Sequence, residues 1–302
     1  MDRPYILHIL TPGPQASPFD VNMAADAGWD VIVPYAHVAL ENVTALTQDA
    51  IFSRGPKGVA RTGIFVGGRD AMVAADMLQR AHESLVPPFE ISLLADPSGA
   101  FTTAAALVAC TEAALRKQGT GLAGRRVLLL GGTGPVGRIA AVLCAQAGAT
   151  TLMGSHKGSA TAEQAARETG ERFGVSLHGV STVDRGTLHA ALDGVDVVMG
   201  VAAAGVQVMG VDDRAAAPGL RVLADVNAVP PAGLAGVGVN DDAVPVPGTQ
   251  AVGIGALAIG NVKYQVHQRL LARMRERPSG KPELLSFGEA LAQARVVLGE
   301  KN

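Results

Sequence analysis

Short apolar runs alternate along the chain with longer stretches of helical periodicity. Residues 5–10, Tyr-Ile-Leu-His-Ile-Leu, are stopped by Thr11-Pro12-Gly13-Pro14, the pattern of a buried strand ended by a loop. A helix is predicted over 18–28, with Ser17 as N-cap and Pro18 at the first position, where the missing N–H has no intrahelical partner to lose. Strands are predicted over 29–34 and 62–68, a helix over 70–84 and a strand over 89–95. Such alternation points to a parallel sheet with helices on its faces.

A second series follows Thr102-Thr103. A helix over 104–117 leads into a glycine-containing, positively charged link over 119–126. Strand 127–130, helix 135–147 and strand 150–153 come next, then helix 162–173, strand 176–180, helix 185–192 and strands 195–201 and 221–225. The longest uncharged run, 243–262, has about the length of a membrane span. Pro245, Pro247 and several glycines interrupt it, so it reads as loop plus buried strand. Helices over 262–277 and 286–298 close the chain, and no fixed-period repeat or low-complexity tract is present.

Composition narrows this picture. At roughly 100 to 200 residues per domain, 302 residues suggest two domains. Apolar residues make up 48% of the chain and aromatics only 4%, while glycine occupies 37 positions, well above the usual share, so the core must be built from small side chains. Lys and Arg number 25 against 27 Asp and Glu, a net charge of -2, which leaves no positive field for a nucleic acid and no acidic excess to keep the chain disordered. Cys110 and Cys144 stand among Ala, Val and Leu outside any Cys-x-x-Cys pair, and read as small buried residues in a reducing compartment. Met1-Asp2-Arg3-Pro4 does not open a secretory leader. The expectation is a cytoplasmic protein without a membrane or nucleic-acid partner.

The sharpest local signal follows strand 127–130. Gly131-Gly132-Thr133-Gly134-Pro135-Val136-Gly137 contains Gly-x-Gly-x-x-Gly at Gly132, Gly134 and Gly137. The first glycine permits a tight turn, the second lets backbone approach a pyrophosphate, and the third lets helix and strand pack closely. Free N–H groups at the helix start favour the anion. The preceding strand and following helix make this a dinucleotide site, with Thr133, Pro135 and Val136 completing the turn; a purely structural glycine turn is the alternative. The fold class expected is therefore α/β, with two domains: a Rossmann-type parallel sheet plus a smaller α/β substrate domain.

An acid about 20 residues further on would hold the ribose diol of NAD, but none lies between Arg138 and Ala162. The second strand ends instead in Gly154-Ser155-His156-Lys157, a set suited to a 2′-phosphate, so NADP is favoured over NAD. An ordinary solvated turn is the other reading of these residues. Tyr5, Tyr35 and Tyr264 lack a lysine four residues on, and the histidines show no metal-ligand spacing, so neither a Tyr-x-x-x-Lys pair nor a zinc site is expected. No proton donor for carbonyl reduction stands out. A methylene carbon bridged between two nitrogens can give up hydride without proton transfer, because the product is a stabilised cation; the protein then has only to position the partners and tune the local field.

Four segments carry a family resemblance: Ser17-Pro18-Phe19-Asp20-Val21-Asn22-Met23, Asp96-Pro97-Ser98-Gly99-Ala100-Phe101-Thr102-Thr103, residues 225–233 (Asp-Val-Asn-Ala-Val-Pro-Pro-Ala-Gly) and residues 253–264 (Gly-Ile-Gly-Ala-Leu-Ala-Ile-Gly-Asn-Val-Lys-Tyr). They closely resemble the methylene-tetrahydromethanopterin dehydrogenases of methylotrophic bacteria, and the likeness extends from Tyr5 to the last helix. It implies oxidation of methylene- to methenyl-tetrahydromethanopterin in formaldehyde oxidation, a two-domain subunit and a homo-oligomer. The pterin domain is then expected over 1–103, with 262–302 packing back on it, and the NAD(P) domain over 104–261. The likeness is closer to the variant that accepts both nucleotides than to the strictly NADP-dependent one, and the latter's Arg-Lys pair after the second strand is replaced here by Ser155-His156-Lys157, which speaks against exclusive use of NADP.

Lys263 matches the family's active-site lysine; a solvated lysine at a helix start is the alternative. Asp20 is a candidate for contact with the pterin or its arylamine end, or a first-turn acid favouring the helix dipole. Asn22, Asp96, Phe101, Thr102 and Thr103 are expected at the substrate, although Asp96 can serve an Asx turn and Thr102 a helix cap. Ala202 and Ala203 are expected beneath the nicotinamide ribose, and Asn227 at the carboxamide or in a turn. His8, His37 and His267 are read as structural. Methylene-tetrahydrofolate oxidation and an idle NAD(P)-sensing module are the competing functions.

Overall fold

The computed structural model describes residues 3–300, so the expected domain limits at residues 1 and 302 lie outside it. The chain divides into two compact units, one running to Thr102 and resuming over Tyr264–Val297, the other holding Thr103–Lys263.

The first unit opens with β1 (Ile6–Leu10), α1 (Pro18–Asp26), β2 (Val31–Tyr35), α2 (Val43–Phe52), α3 (Pro56–Val59), β3 (Thr62–Val66), α4 (Ala71–Glu83) and β4 (Ser92–Ala95). From Ala100 to Lys117 the long helix α5 leads into the second unit. That unit continues with β5 (Arg126–Leu130), α6 (Pro135–Gln146), β6 (Thr150–Ser155), α7 (Ser159–Phe173), β7 (His178–Ser181), α8 (Arg185–Leu192), β8 (Val197–Gly200), β9 (Val222–Asp225), β10 (Asp242–Pro245) and β11 (Val252–Ile254). Helix α9 (Ala256–Glu276) returns the chain to the first unit, which ends in β12 (Leu284–Leu285) and α10 (Phe287–Val297).

The first unit carries a five-stranded parallel sheet in the order β12-β4-β3-β1-β2. Strand β3 is buried at every position, as expected for a strand covered on both faces. Asp70 caps α4, its Oδ1 accepting the N–H groups of Met72 and Val73. The C-terminal segment is stitched in by more than packing: β12 pairs with β4, and the Trp29 indole N–H donates to the Leu271 carbonyl of α9.

The second unit carries a seven-stranded sheet in the order β10-β11-β9-β8-β5-β6-β7, parallel except for the β10–β11 edge pair. Read from β7 inward, this is the dinucleotide-binding order, with its reversal between β5 and β8. Val127, Leu128, Leu129 and Leu130 of β5 are all buried, each contributing roughly 1.5–3 kcal/mol relative to exposure.

Helices α2 and α3 and strand β12 lie where the sequence pattern predicts no element, and two further segments differ from the sequence reading. The stretch 243–262 holds β10, β11 and the first turns of α9 rather than loop plus strand, because the helix starts right after Gly255. A Cβ at Gly255 would fall 2.0 Å from the Gly238 carbonyl oxygen, so the apparent breaker is a packing requirement. Helix α5 likewise starts at Ala100, four residues before the expected 104. Helical residues Pro97–Lys117 are long and apolar enough to cross a membrane, and 78% of that apolar window is buried inside the protein.

Both cysteines are buried free thiols. Burial, helped by the nearby Asp242 charge, pushes the Cys110 thiol up to about 12, and burial with a smaller contribution from Glu112 raises Cys144 as well. The thiolate is the reactive form. In native protein at pH 8, neither cysteine should react with a thiol-directed disulfide reagent while both react in denaturant; fast native labelling of either would contradict this packing.

Candidate active site

Three close backbone approaches build the turn that follows β5. A Cβ on Gly131, whose φ is +87°, would fall 2.7 Å from Ala202 Cα; one on Gly132 would meet the Leu129 carbonyl oxygen at 2.9 Å; one on Gly137 would meet Gly132 Cα at 2.6 Å. These three glycines are demanded by the protein itself. Gly134 is not, since a Cβ there would find only the Gly131 oxygen at 3.6 Å. Gly134 is also the N-cap of α6 and, having no side chain, offers the first turn no acceptor. An uncrowded backbone before a helix N-terminus, at the strand-order reversal, fits a nucleotide pyrophosphate.

The turn is joined by its neighbours along the sheet edge. Gly132 N–H donates to the Gly154 carbonyl at the end of β6, and Ala202 after β8 lies against Gly131. Ala203 is exposed beside it, and Thr133, Pro135 and Val136 keep part of their surface open. After β6, His156 and Lys157 are exposed. Ser155 is not: its side chain is buried and its hydroxyl oxygen accepts Lys157 N–H at 3.1 Å, so this expected cofactor ligand shapes the turn instead.

Asn227 takes the turn role that was the alternative to carboxamide contact. Its Oδ1 accepts the N–H groups of Gly205 and Val229, and its Nδ2 donates to the Pro231 carbonyl at 2.8 Å. The amide therefore staples the Ala202–Gly205 loop to the loop after β9. The neighbouring Asp225, given no role in the sequence, is a hidden organiser: buried, it accepts the N–H groups of Asn227 and Leu234. Burial outweighs these bonds and holds its carboxyl above the usual range.

In the first unit, strand order reverses between β1 and β3, the place where open α/β sheets bind ligands. A cavity of about 720 Å³ lies there, lined by residues 11–18 after β1, by Gly68, Arg69, Asp70 and Val73 after β3, and by Ser98. Ser98 is held at φ +49° and its hydroxyl donates to the Gly68 carbonyl. None of the predicted substrate residues lines this cavity. Asp20 stands two residues beyond its Pro18 edge, buried in the first turn of α1, and Asn22 is exposed on that helix. A cavity of about 820 Å³ in the second unit, among residues 211–220 and 247–250, shares no residue with the glycine turn.

Asp96, Phe101 and Thr102 are placed differently from expectation. All three are buried, while Thr103 is half-buried. Asp96 Oδ1 accepts the N–H groups of Phe101 and Thr102, and Oδ2 accepts the Thr102 hydroxyl at 2.6 Å and His267 Nδ1 at 2.8 Å. Asp96 therefore caps α5 from outside the helix, and Phe101 packs edge-on against Phe287. Lys263 lies well inside α9, half-buried, not at its start. A Cβ on Gly260, one turn earlier, would meet nothing within 4 Å, which leaves that part of the helix bare. Among the described residues no group of three or more His, Cys, Asp or Glu is arranged to hold a metal ion.

Residues 18–98 match the family profile for the N-terminal part of methylene-tetrahydromethanopterin dehydrogenase. Over 295 residues the chain is 45% identical to the NAD(P)-dependent methylenetetrahydromethanopterin dehydrogenase of Methylorubrum extorquens, covering 97% of this chain and 99% of that protein. The chain belongs to the methylenetetrahydromethanopterin dehydrogenase family. A more distant relative, the bifunctional protein MdtA of the same organism, is 32% identical over 87% of this chain and 90% of its own length. The NAD-dependent malic enzyme of Thermotoga maritima shares the fold, with a TM-score of 0.57 at 12% identity over 96% of this chain and 84% of that one.

Within this dehydrogenase family member, the two kinds of glycine separate experimentally. Gly137→Ala should destabilise the protein by roughly 1–3 kcal/mol through overpacking. Gly134→Ala should keep the melting temperature of the wild type yet weaken NAD(P) binding about tenfold or more, because the added methyl occupies the pyrophosphate approach. Thermal unfolding and nucleotide titration check the pair; equal melting temperatures for both variants would contradict the contacts.

Proposed function

We propose that this protein oxidises methylene-tetrahydromethanopterin to methenyl-tetrahydromethanopterin with NAD(P)+ as hydride acceptor. The observation that carries this is the 45% identity, over 97% of the chain, to a relative named for that activity. The glycine turn at the β5/β8 reversal and the cavity at the β1/β3 reversal agree with a nucleotide and a second ligand. A methylene carbon held between two nitrogens loses hydride to the nicotinamide ring; its product is a cation stabilised by both nitrogens, and no proton has to move. The chain's residues therefore act by holding and orienting. Gly134 and the first turn of α6 receive the pyrophosphate, and Ala202 and Ala203 face the nicotinamide ribose. Lys263 and Asp20 act at the pterin, in keeping with the family's active-site lysine.

NADP is the preferred nucleotide in this proposal, supported by the missing ribose-binding acid after β6 and by the exposed cation of Lys157. The subunit works as a homo-oligomer, as the family resemblance suggests, and its place is the cytoplasm, in keeping with two buried free thiols. Purified protein should reduce NADP, and more slowly NAD, when supplied with methylene-tetrahydromethanopterin. Turnover of methylene-tetrahydrofolate alone would reassign the substrate, and no turnover with either pterin would refute the activity. Lys263→Ala should lower kcat about 100-fold with little change in nucleotide KM. Lys157→Ala should raise KM for NADP up to about tenfold and leave NAD nearly unchanged; equal effects on both would remove this lysine from the 2′-phosphate.

A further inference from the structure

We propose that His267 is a positioning residue of the reaction, a role that rests on the activity proposed above. Its side chain is fully buried on α9, one helical turn beyond Lys263. Nδ1 lies 2.8 Å from Asp96 Oδ2, so the proton sits on Nδ1 and is donated to the carboxylate. The other nitrogen, Nε2, is buried without a hydrogen-bond partner. Phe19 meets the imidazole edge-on at a centroid distance of 5.6 Å, and Phe65 lies tilted at 5.9 Å.

Packing alone does not call for histidine here. An aliphatic residue would fill the space between two phenylalanine rings without stranding a polar nitrogen. Nor does Asp96 lack donors, since Phe101 N–H, Thr102 N–H and the Thr102 hydroxyl already reach it. What His267 adds is direction. Asp96 is set at the end of β4 and bound to the start of α5, so the bond to His267 fixes the rotation of α9 about its axis at that turn. Lys263 lies four residues earlier on the same helix and inherits that rotation. Phe19, one of the two aromatic rings against the imidazole, directly precedes Asp20 in α1. One imidazole therefore supports the two residues assigned to the pterin, one through the helix and one through an aromatic contact.

Asn can reproduce the Nδ1 donor and Gln the Nε2 position, so His267→Asn, His267→Gln and His267→Leu separate direction from bulk. His267→Leu and His267→Gln should lose kcat roughly 10- to 100-fold, with nucleotide KM unchanged, whereas His267→Asn should stay within a few-fold of wild type. Two-dimensional NMR of the ¹⁵N-histidine-labelled wild-type protein should show His267 protonated on Nδ1 and bare on Nε2, a readout that needs neither substrate nor a folded variant. Wild-type kcat in the leucine and glutamine variants, an asparagine variant as slow as leucine, or a proton on Nε2 alone would each overturn the role. Absence of turnover by the wild-type protein would overturn the activity and the positioning role with it, while an Nδ1 proton would still uphold the Asp96–His267 bond. Where a variant fails to fold, the kcat of those that fold decides the role, and the wild-type tautomer decides the bond on which it rests.

Discussion

The constraint on which the nucleotide turn depends is backbone against backbone. Gly137 in the first turn of α6 lies over Gly132 with no room for a methyl group, and Gly131 lies as tightly against Ala202. These contacts bring the start of α6 down onto the ends of β5 and β8, where the strand order reverses. A helix N-terminus held that low presents its N–H groups to whatever enters the reversal point. Any side chain at these positions would lift the helix away. The arrangement of loops after β6, β8 and β9 follows from this fit, with Asn227 and Asp225 bonding the last of them into place.

The first unit solves a related problem by charge rather than by close approach. A carboxylate without solvent contact is tolerated only where donors surround it. Those that reach Asp96 include two backbone N–H groups, one hydroxyl and one imidazole. Because those donors come from the start of α5 and the middle of α9, satisfying one buried charge ties a strand end to two helices.

These supports suit a reaction that asks little of acid–base groups. Transfer of hydride from a carbon between two nitrogens leaves a stabilised cation, so geometry carries much of the barrier reduction. A chain with 17% charged residues and 37 glycines can meet that demand, placing its few ionisable groups where they orient elements. The buried Asp20, Asp96 and Asp225 each sit at the start of a helix or the end of a strand.

The β/α alternation, the strand–glycine–helix signature at 127–137 and the family motifs were legible along the chain, because each depends on neighbours within a few residues. The fates of Asp96, Ser155 and Asn227 were not. Each is a short polar residue at a strand end, equally able to face a ligand or bond the backbone, and the choice rests on partners 22 residues away for Asn227 and 171 away for Asp96. His267 was read as one structural histidine among several, since only folding reveals its stranded nitrogen and its carboxylate. The breaker-like Gly255 misled for the same reason, its need being set by the oxygen of Gly238. Local periodicity and turn chemistry thus determined the elements and the nucleotide motif. Long-range contacts decided which polar atoms remain open to a ligand and which are consumed in holding the fold, because a buried polar group takes whichever partner the tertiary structure brings to it.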